Sequence, residues 1–113
     1  MALANEELKD YEWLSKMYAD TYYPNFLVDK IKAILLDLCE QIEREQPESE
    51  ESLLKLTHAA TERINDLAEE FCENNSELET VARDLMADEF RVVLSAYGFH
   101  EIDIEDAIAP RDW

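Results

Sequence analysis

Leu27-Val28-Asp29-Lys30-Ile31-Lys32-Ala33-Ile34-Leu35-Leu36-Asp37-Leu38-Cys39-Glu40-Gln41-Ile42 is the stretch whose reading decides the fold. At about 100° per residue, Val28, Ile31, Leu35, Leu38, Cys39 and Ile42 fall on one stripe, and Leu27 and Ile34 widen it. So broad an apolar arc predicts the central helix of an all-α domain, beginning near Pro24 or Asn25 and running to about Gln46. Pro47 and the polar Glu48-Ser49-Glu50 make a short connection, which sends the next helix back antiparallel. That helix is expected over residues 49–73, with Leu53, Leu56, Thr57, Ala60, Ile64, Leu67 and Phe71 as its stripe.

Outward from this hairpin, Asn74-Asn75 ends the second helix, and Ser76 with Glu79 reads as a capping box for another, reaching Tyr97. Gly98 suits the left-handed residue that closes such a helix, with Phe99 as the following hydrophobic contact. Upstream, Asn5 is expected to cap a helix to about Ala19, carrying Tyr11, Leu14 and Tyr18 on one face. Pro24 biases Tyr23 away from helix. Asp103 predicts a last short helix through Ala109, stopped by Pro110. A single glycine leaves few turns for a many-stranded sheet. The expectation is therefore one all-helical domain over residues 1–113, with four main helices in a compact bundle or irregular array plus a short C-terminal helix.

Ten basic and 28 acidic side chains give a net charge of −18. A chain of this mass folds to roughly 6,400 Å² of surface, so evenly spread excess charges lie about 19 Å apart, beyond the ~8 Å screening length at physiological salt. A partner feels local clusters, such as those at residues 48–51 and 69–73. The balance argues against nucleic acid and against an anionic membrane, both of which demand positive patches. A basic protein or a cation is the natural counterpart. The first residues show no signal-peptide pattern and no apolar run approaches a membrane span, which predicts a cytoplasmic protein with Cys39 and Cys72 reduced. A hairpin turning near residue 48 sets these two thiols about 20 Å apart, too far for a disulfide.

Four groups of side chains carry candidate chemistry. His58 and Glu62 stand one turn apart and Glu69 extends their row, a spacing that can present half of a metal site. The row lies opposite the apolar stripe, where polar residues at helical spacing ordinarily form a solvated or partner-facing face. Glu69-Glu70-Phe71-Cys72-Glu73 spells E-E-x-x-E, which resembles the first magnesium motif of the all-α nucleotide pyrophosphohydrolases. That resemblance implies carboxylates from two facing helices holding Mg²⁺. The family's second half is E-x-x-D, whereas the following helix here offers Asp84 and Asp88 four apart.

Glu89 falls between two overlapping apolar rows, Leu78-Val81-Leu85-Val92-Ala96 and Ala82-Met86-Phe90-Val93-Tyr97. A carboxylate inside an apolar arc must be paired, hydrogen-bonded or protonated, which makes Glu89, with His58, a catalytic candidate; a gap between helices that lets it reach water or an arginine is the plainer reading. Trp13, Tyr22 and Tyr23 lie in an aromatic N-terminal stretch whose rings suit either a partner-binding patch or core. No nucleophile arrangement, phosphate-cradling loop or cofactor fingerprint accompanies them, so no cofactor is predicted beyond a divalent metal on the carboxylate rows.

Tyr22-Tyr23-Pro24 leading into Leu27-Val28-Asp29-Lys30, then Leu56-Thr57-His58-Ala59-Ala60-Thr61-Glu62, Ala96-Tyr97-Gly98-Phe99 and Arg111-Asp112-Trp113, together resemble a small bacterial family that carries only a domain-of-unknown-function label. The resemblance spans most of the chain. It implies a compact bacterial cytoplasmic protein and transfers no catalytic residue.

Charge and the lack of a complete catalytic constellation favour a non-enzymatic acidic protein-binding module, an adaptor or antagonist of a basic partner. The alternatives are a metal-dependent phosphohydrolase acting on a small molecule or nucleotide, and a structural subunit of a homo-oligomer.

Overall fold

The computed structural model describes residues 3–113. Its regular structure among these is entirely helical: α1 (Glu6–Lys9), α2 (Ser15–Ala19), α3 (Asn25–Glu45), α4 (Glu50–Glu73), α5 (Thr80–Ala96) and α6 (Ile104–Ala107). The long hairpin is as expected. Pro24 opens α3, and its stripe of Val28, Ile31, Leu35, Leu38, Cys39 and Ile42 is buried together with Leu27 and Ile34. Ser49 caps α4 by accepting from the Ser52 amide. The two helices pack along their lengths, burying Leu53, Ala60, Ile64 and Phe71, and carry surface ion pairs Lys30–Glu70 and Arg63–Asp37. Such exposed pairs are each worth ~0–1 kcal/mol, so the apolar seam holds the hairpin.

The first helix breaks in two, contrary to expectation. On one straight helix Leu8 and Met17 would point about 180° apart, and Leu8 and Trp13 about 140°. All three are buried, as is Leu14. The chain meets this demand by leaving helix after Lys9 and re-entering it through Leu14, which takes the left-handed conformation at φ 55°. The segment becomes a strap of two short helices across the bundle, with α2 packed on both α3 and α5.

The capping box at Ser76 is also corrected. Ser76 closes the helix before it: its amide reaches the Phe71 carbonyl while Asn75, at φ 61°, bonds Cys72. This is the paired 6→1 and 5→2 closure of a left-handed helix end. With its backbone committed there, Ser76 is buried, and the cap of α5 moves to Glu79, whose carboxylate accepts from Val81. Gly98 behaves as expected. At φ 82° it lets Phe99 return its amide to Leu94 and closes α5.

The C-terminal segment folds back over the hairpin. Asp103 caps α6, which stops at Ala107, two residues short of the expected end. Asn65 of α4 donates to the Pro110 carbonyl and accepts from the Asp112 amide. Arg83 and Arg111 both donate to the Trp113 carbonyl, and the Trp113 ring is buried. The buried side chains, from Leu3 to Trp113, form one hydrophobic cluster.

Candidate functional site

The helix α5 positions most of what distinguishes this surface. Of its two apolar rows the fold consumes one: Ala82, Met86, Phe90 and Val93 are wholly buried. In the other, Leu78 is covered, Leu85, Val92 and Ala96 are half-buried, and Val81 is 56% exposed. Val81, Leu85, Asp88 and Val92 fall on one face by helical spacing. Tyr22 and Phe26, at 44% and 51% exposure, join Val81 as the large apolar side chains left exposed among the described residues. The start of α3 and the start of α5 are joined near two of them. The Tyr22 ring meets Tyr23 edge-on at 5.1 Å, and the Tyr23 hydroxyl donates to Glu79, two residues before Val81. Asp20, Glu77, Asp84 and Asp88, all exposed, flank these positions along the chain.

Trp13 and Tyr23, proposed from sequence as partner-binding, are 5% and 2% exposed and serve the core. Trp13 is captured by the strap's break, edge-on to Tyr11 at 4.9 Å. Of the three aromatic candidates only Tyr22 presents its ring to solvent.

Glu89 is buried, at 8% exposure, on the inner edge of α5 beneath the strap. Its Oε1 accepts from the Tyr11 hydroxyl at 3.1 Å, and its Oε2 has no hydrogen-bond partner. Among the described residues no arginine reaches it, and burial keeps it from reaching water freely. Burial raises its pKa, opposed by the Tyr11 hydroxyl and the nearby Leu14 amide and reinforced by Asp88. Burial and Glu89 together push the Tyr11 phenol up to about 12. A cleft of about 170 Å³ opens here, lined by Tyr11, Leu14, Lys16, Met17, Leu85 and Glu89 among others.

The row on α4 is not a free polar face, because the C-terminal segment lies against it. His58 is half-buried, and its Nε2–H donates to the Asp106 carbonyl at 2.7 Å. Two turns on, Asn65 holds the last residues. Glu62 and Glu69 are exposed, so His58 parts from the carboxylates of its row. The carboxylates of E-E-x-x-E likewise do not gather: Glu70 pairs with Lys30 at 2.5 Å while Glu69 and Glu73 face solvent. Asp84 is exposed and Asp88 pairs with Arg91 at 2.6 Å. The helix facing α4 is α3, whereas α5 packs chiefly on α2, α3 and α6. Among the described residues no three of His, Cys, Asp and Glu converge on a point able to hold a metal ion.

Sequence reasoning missed Glu43. Its carboxylate accepts from the Ala4 and Asn5 amides at 2.8 and 3.1 Å and from the Tyr97 hydroxyl at 2.5 Å. Burial acts to raise its pKa, but these three donors outweigh it and hold the group below the ordinary carboxylate value. Asn5 adds a bond to the Ala96 carbonyl, so the start of the strap, α3 and the end of α5 meet here. A cleft of about 440 Å³ opens beside them, walled by Ile42, Pro47, Tyr97 and Phe99. Every donor facing Glu43 comes from a distant segment, so no local pattern announces it.

No helix among the described residues is long and apolar enough to cross a membrane. No curated protein and no solved structure matches the chain. A family of unknown function, DUF5713, matches over residues 7–113, and the chain belongs to that family.

Proposed function

We propose that the chain is a non-enzymatic acidic binding module that docks a basic, apolar-bearing segment of another protein along the outer row of α5 and the Tyr22–Phe26 corner. The observation that carries this reading is the unused apolar row. A lone helix packed on one core needs one stripe, and α5 has a second that includes an exposed valine, while Phe26 and Tyr22, whose neighbour Tyr23 bonds Glu79 ahead of α5, are exposed as well. Fully covering such a side chain is worth about 1.5–3 kcal/mol, so a partner gains most at these three positions. The exposed acids Asp20, Glu77, Asp84 and Asp88 give that partner its sign.

The test compares tagged wild-type chain with a Phe26→Asp/Val81→Asp variant in native lysate. Both positions are exposed, so the variant should unfold at nearly the wild-type temperature. A basic protein retained by the wild type, released by raised salt and ignored by the variant supports docking. Equal capture by both removes the reading. Sedimentation of the purified chain separates the homo-oligomer, which would dissociate in the variant without any partner.

A further inference from the structure

We propose that the cleft between α2 and α5 is a binding site for a primary alkylammonium group, with Glu89 as its counter-ion. The cleft holds about 170 Å³, room for roughly six waters' worth of volume. Its walls are mixed in the way a chain of methylenes ending in a charge requires. Leu14, Met17 and Leu85 supply apolar surface, while Tyr11, Ser15, Asp88 and Glu89 supply oxygens.

The second observation is the unanswered half of Glu89. Glu89 lines the cleft and is more than nine-tenths buried; Tyr11 donates to its Oε1, the Leu14 amide acts on the carboxylate from the strap, and Oε2 has no partner at full hydrogen-bond geometry among the described residues. A buried carboxylate oxygen left unpaired costs more than an ordinary lost hydrogen bond, and natural folds seldom leave one so. No cation of the described residues pairs with it: Arg91 holds Asp88, and Lys16, which lines the same cleft, makes no ion pair.

The missing group is a cationic donor: Tyr11 already spends its proton on Oε1, and burial, which disfavours the ionised carboxylate, is offset when a positive charge stands beside it. A metal ion fits less well, since the cleft brings only Asp88 beside Glu89 and no third ligand. An ammonium brings its own three N–H donors and needs fewer oxygens. Bound there, it ties the strap to α5 through Tyr11 and Leu14. The cleft shares Leu85 and Asp88 with the docking row, but neither Phe26 nor Val81 lines it, so a failed Phe26→Asp/Val81→Asp comparison leaves it untouched.

The source of the ammonium, a free amine or a lysine of a protein, is separated by two arms of one titration. Chain labelled with ¹³C at glutamate carboxyls is titrated with n-butylammonium chloride and, separately, with acetyl-Gly-Lys-Gly-amide. Sodium and tetramethylammonium chloride at equal ionic strength serve as controls. Either amine should shift the Glu89 carboxyl saturably and lower its titration midpoint by about 1 unit or more, as an adjacent cation does. Tighter binding of n-butylammonium identifies a small amine, and tighter binding of the peptide a presented lysine. Read at the ¹⁵N-labelled amides of Leu14 and Leu85, which line the cleft, Glu89→Gln should abolish saturation, whereas Asp88→Asn should weaken it. Equal responses to all four cations, a midpoint that does not move, or saturation retained in Glu89→Gln overturns the site. The wild-type measurement decides alone if Glu89→Gln fails to fold.

Discussion

Replacing Glu43 by glutamine tests how the strap is fastened. The carboxylate accepts three hydrogen bonds, two from the Ala4 and Asn5 amides and one from Tyr97. Glutamine offers one carbonyl oxygen, and its amide nitrogen must face at least one of those donors. Bonds to a charged acceptor contribute about 1.5–3 kcal/mol each when well covered. Glu43 is half-buried, so losing one bond and weakening the others costs about 1–2 kcal/mol at neutral pH. In a domain of this size that lowers the unfolding midpoint by roughly 4–8 °C.

The pH dependence gives a second, independent reading. Glu43 is held below the usual carboxylate value, so its stabilisation is present above the unfolded value of ~4.3 and is lost as pH falls through the folded one. Wild type and Glu43→Gln should therefore differ at pH 7 and converge towards pH 3, since every other group titrates alike in both. Urea denaturation at the two pH values measures the gap, and amide exchange at Ala4 and Asn5 shows whether the same bonds are lost. A gap that keeps its size at pH 3, or none at pH 7, refutes the role given to Glu43.

Trp113→Ala should cost about 3–5 kcal/mol, because the ring is a buried anchor of the returning tail; a loss below about 1 kcal/mol in denaturant would mean that the tail is not part of the core. Gly98→Ala should lose about 1 kcal/mol through its left-handed backbone alone, because a Cβ there meets nothing within 4 Å; thermal unfolding reads it directly. Cys72 is exposed, while Cys39 is buried and its thiol is pushed up to about 12 by that burial. Alkylation at pH 8 should therefore modify one thiol in the native chain and both in urea, with mass spectrometry placing the first at Cys72.

What could be read in the sequence was whatever rests on local periodicity. The hairpin of α3 and α4 follows from two long stripes and the short Pro47 connection between them, all decided within a turn or two of chain. The strap was misread because Tyr11, Leu14 and Tyr18 do share a helical face, and only the simultaneous burial of Leu8 and Trp13 forces the break. Ser76 was misplaced because a cap signal does not say which of two adjoining helices will use the residue. His58 looked solvated on its own helix and is covered by a segment 48 residues away. The donors on Glu43 lie 38 to 54 residues from it, beyond any spacing rule. Glu89 was legible as an exception to its apolar arc, although its partner was not, since Tyr11 is 78 residues distant. The four segments behind the family resemblance hold structural posts here: Pro24 opens α3, His58 braces α6, Gly98 closes α5 and Trp113 anchors the tail.

Docking on the outer row of α5 is tested most directly by mapping where a partner touches. The basic protein retained at low salt is titrated into ¹⁵N- and methyl-labelled chain, and the shifts are placed on the fold. Docking there predicts saturable changes at Tyr22, Phe26, Val81, Leu85 and Val92, fading as salt rises, with the face around Phe99 and His100 unmoved. Saturable changes centred on Phe99 and His100, with Phe26 and Val81 unaffected, would contradict it.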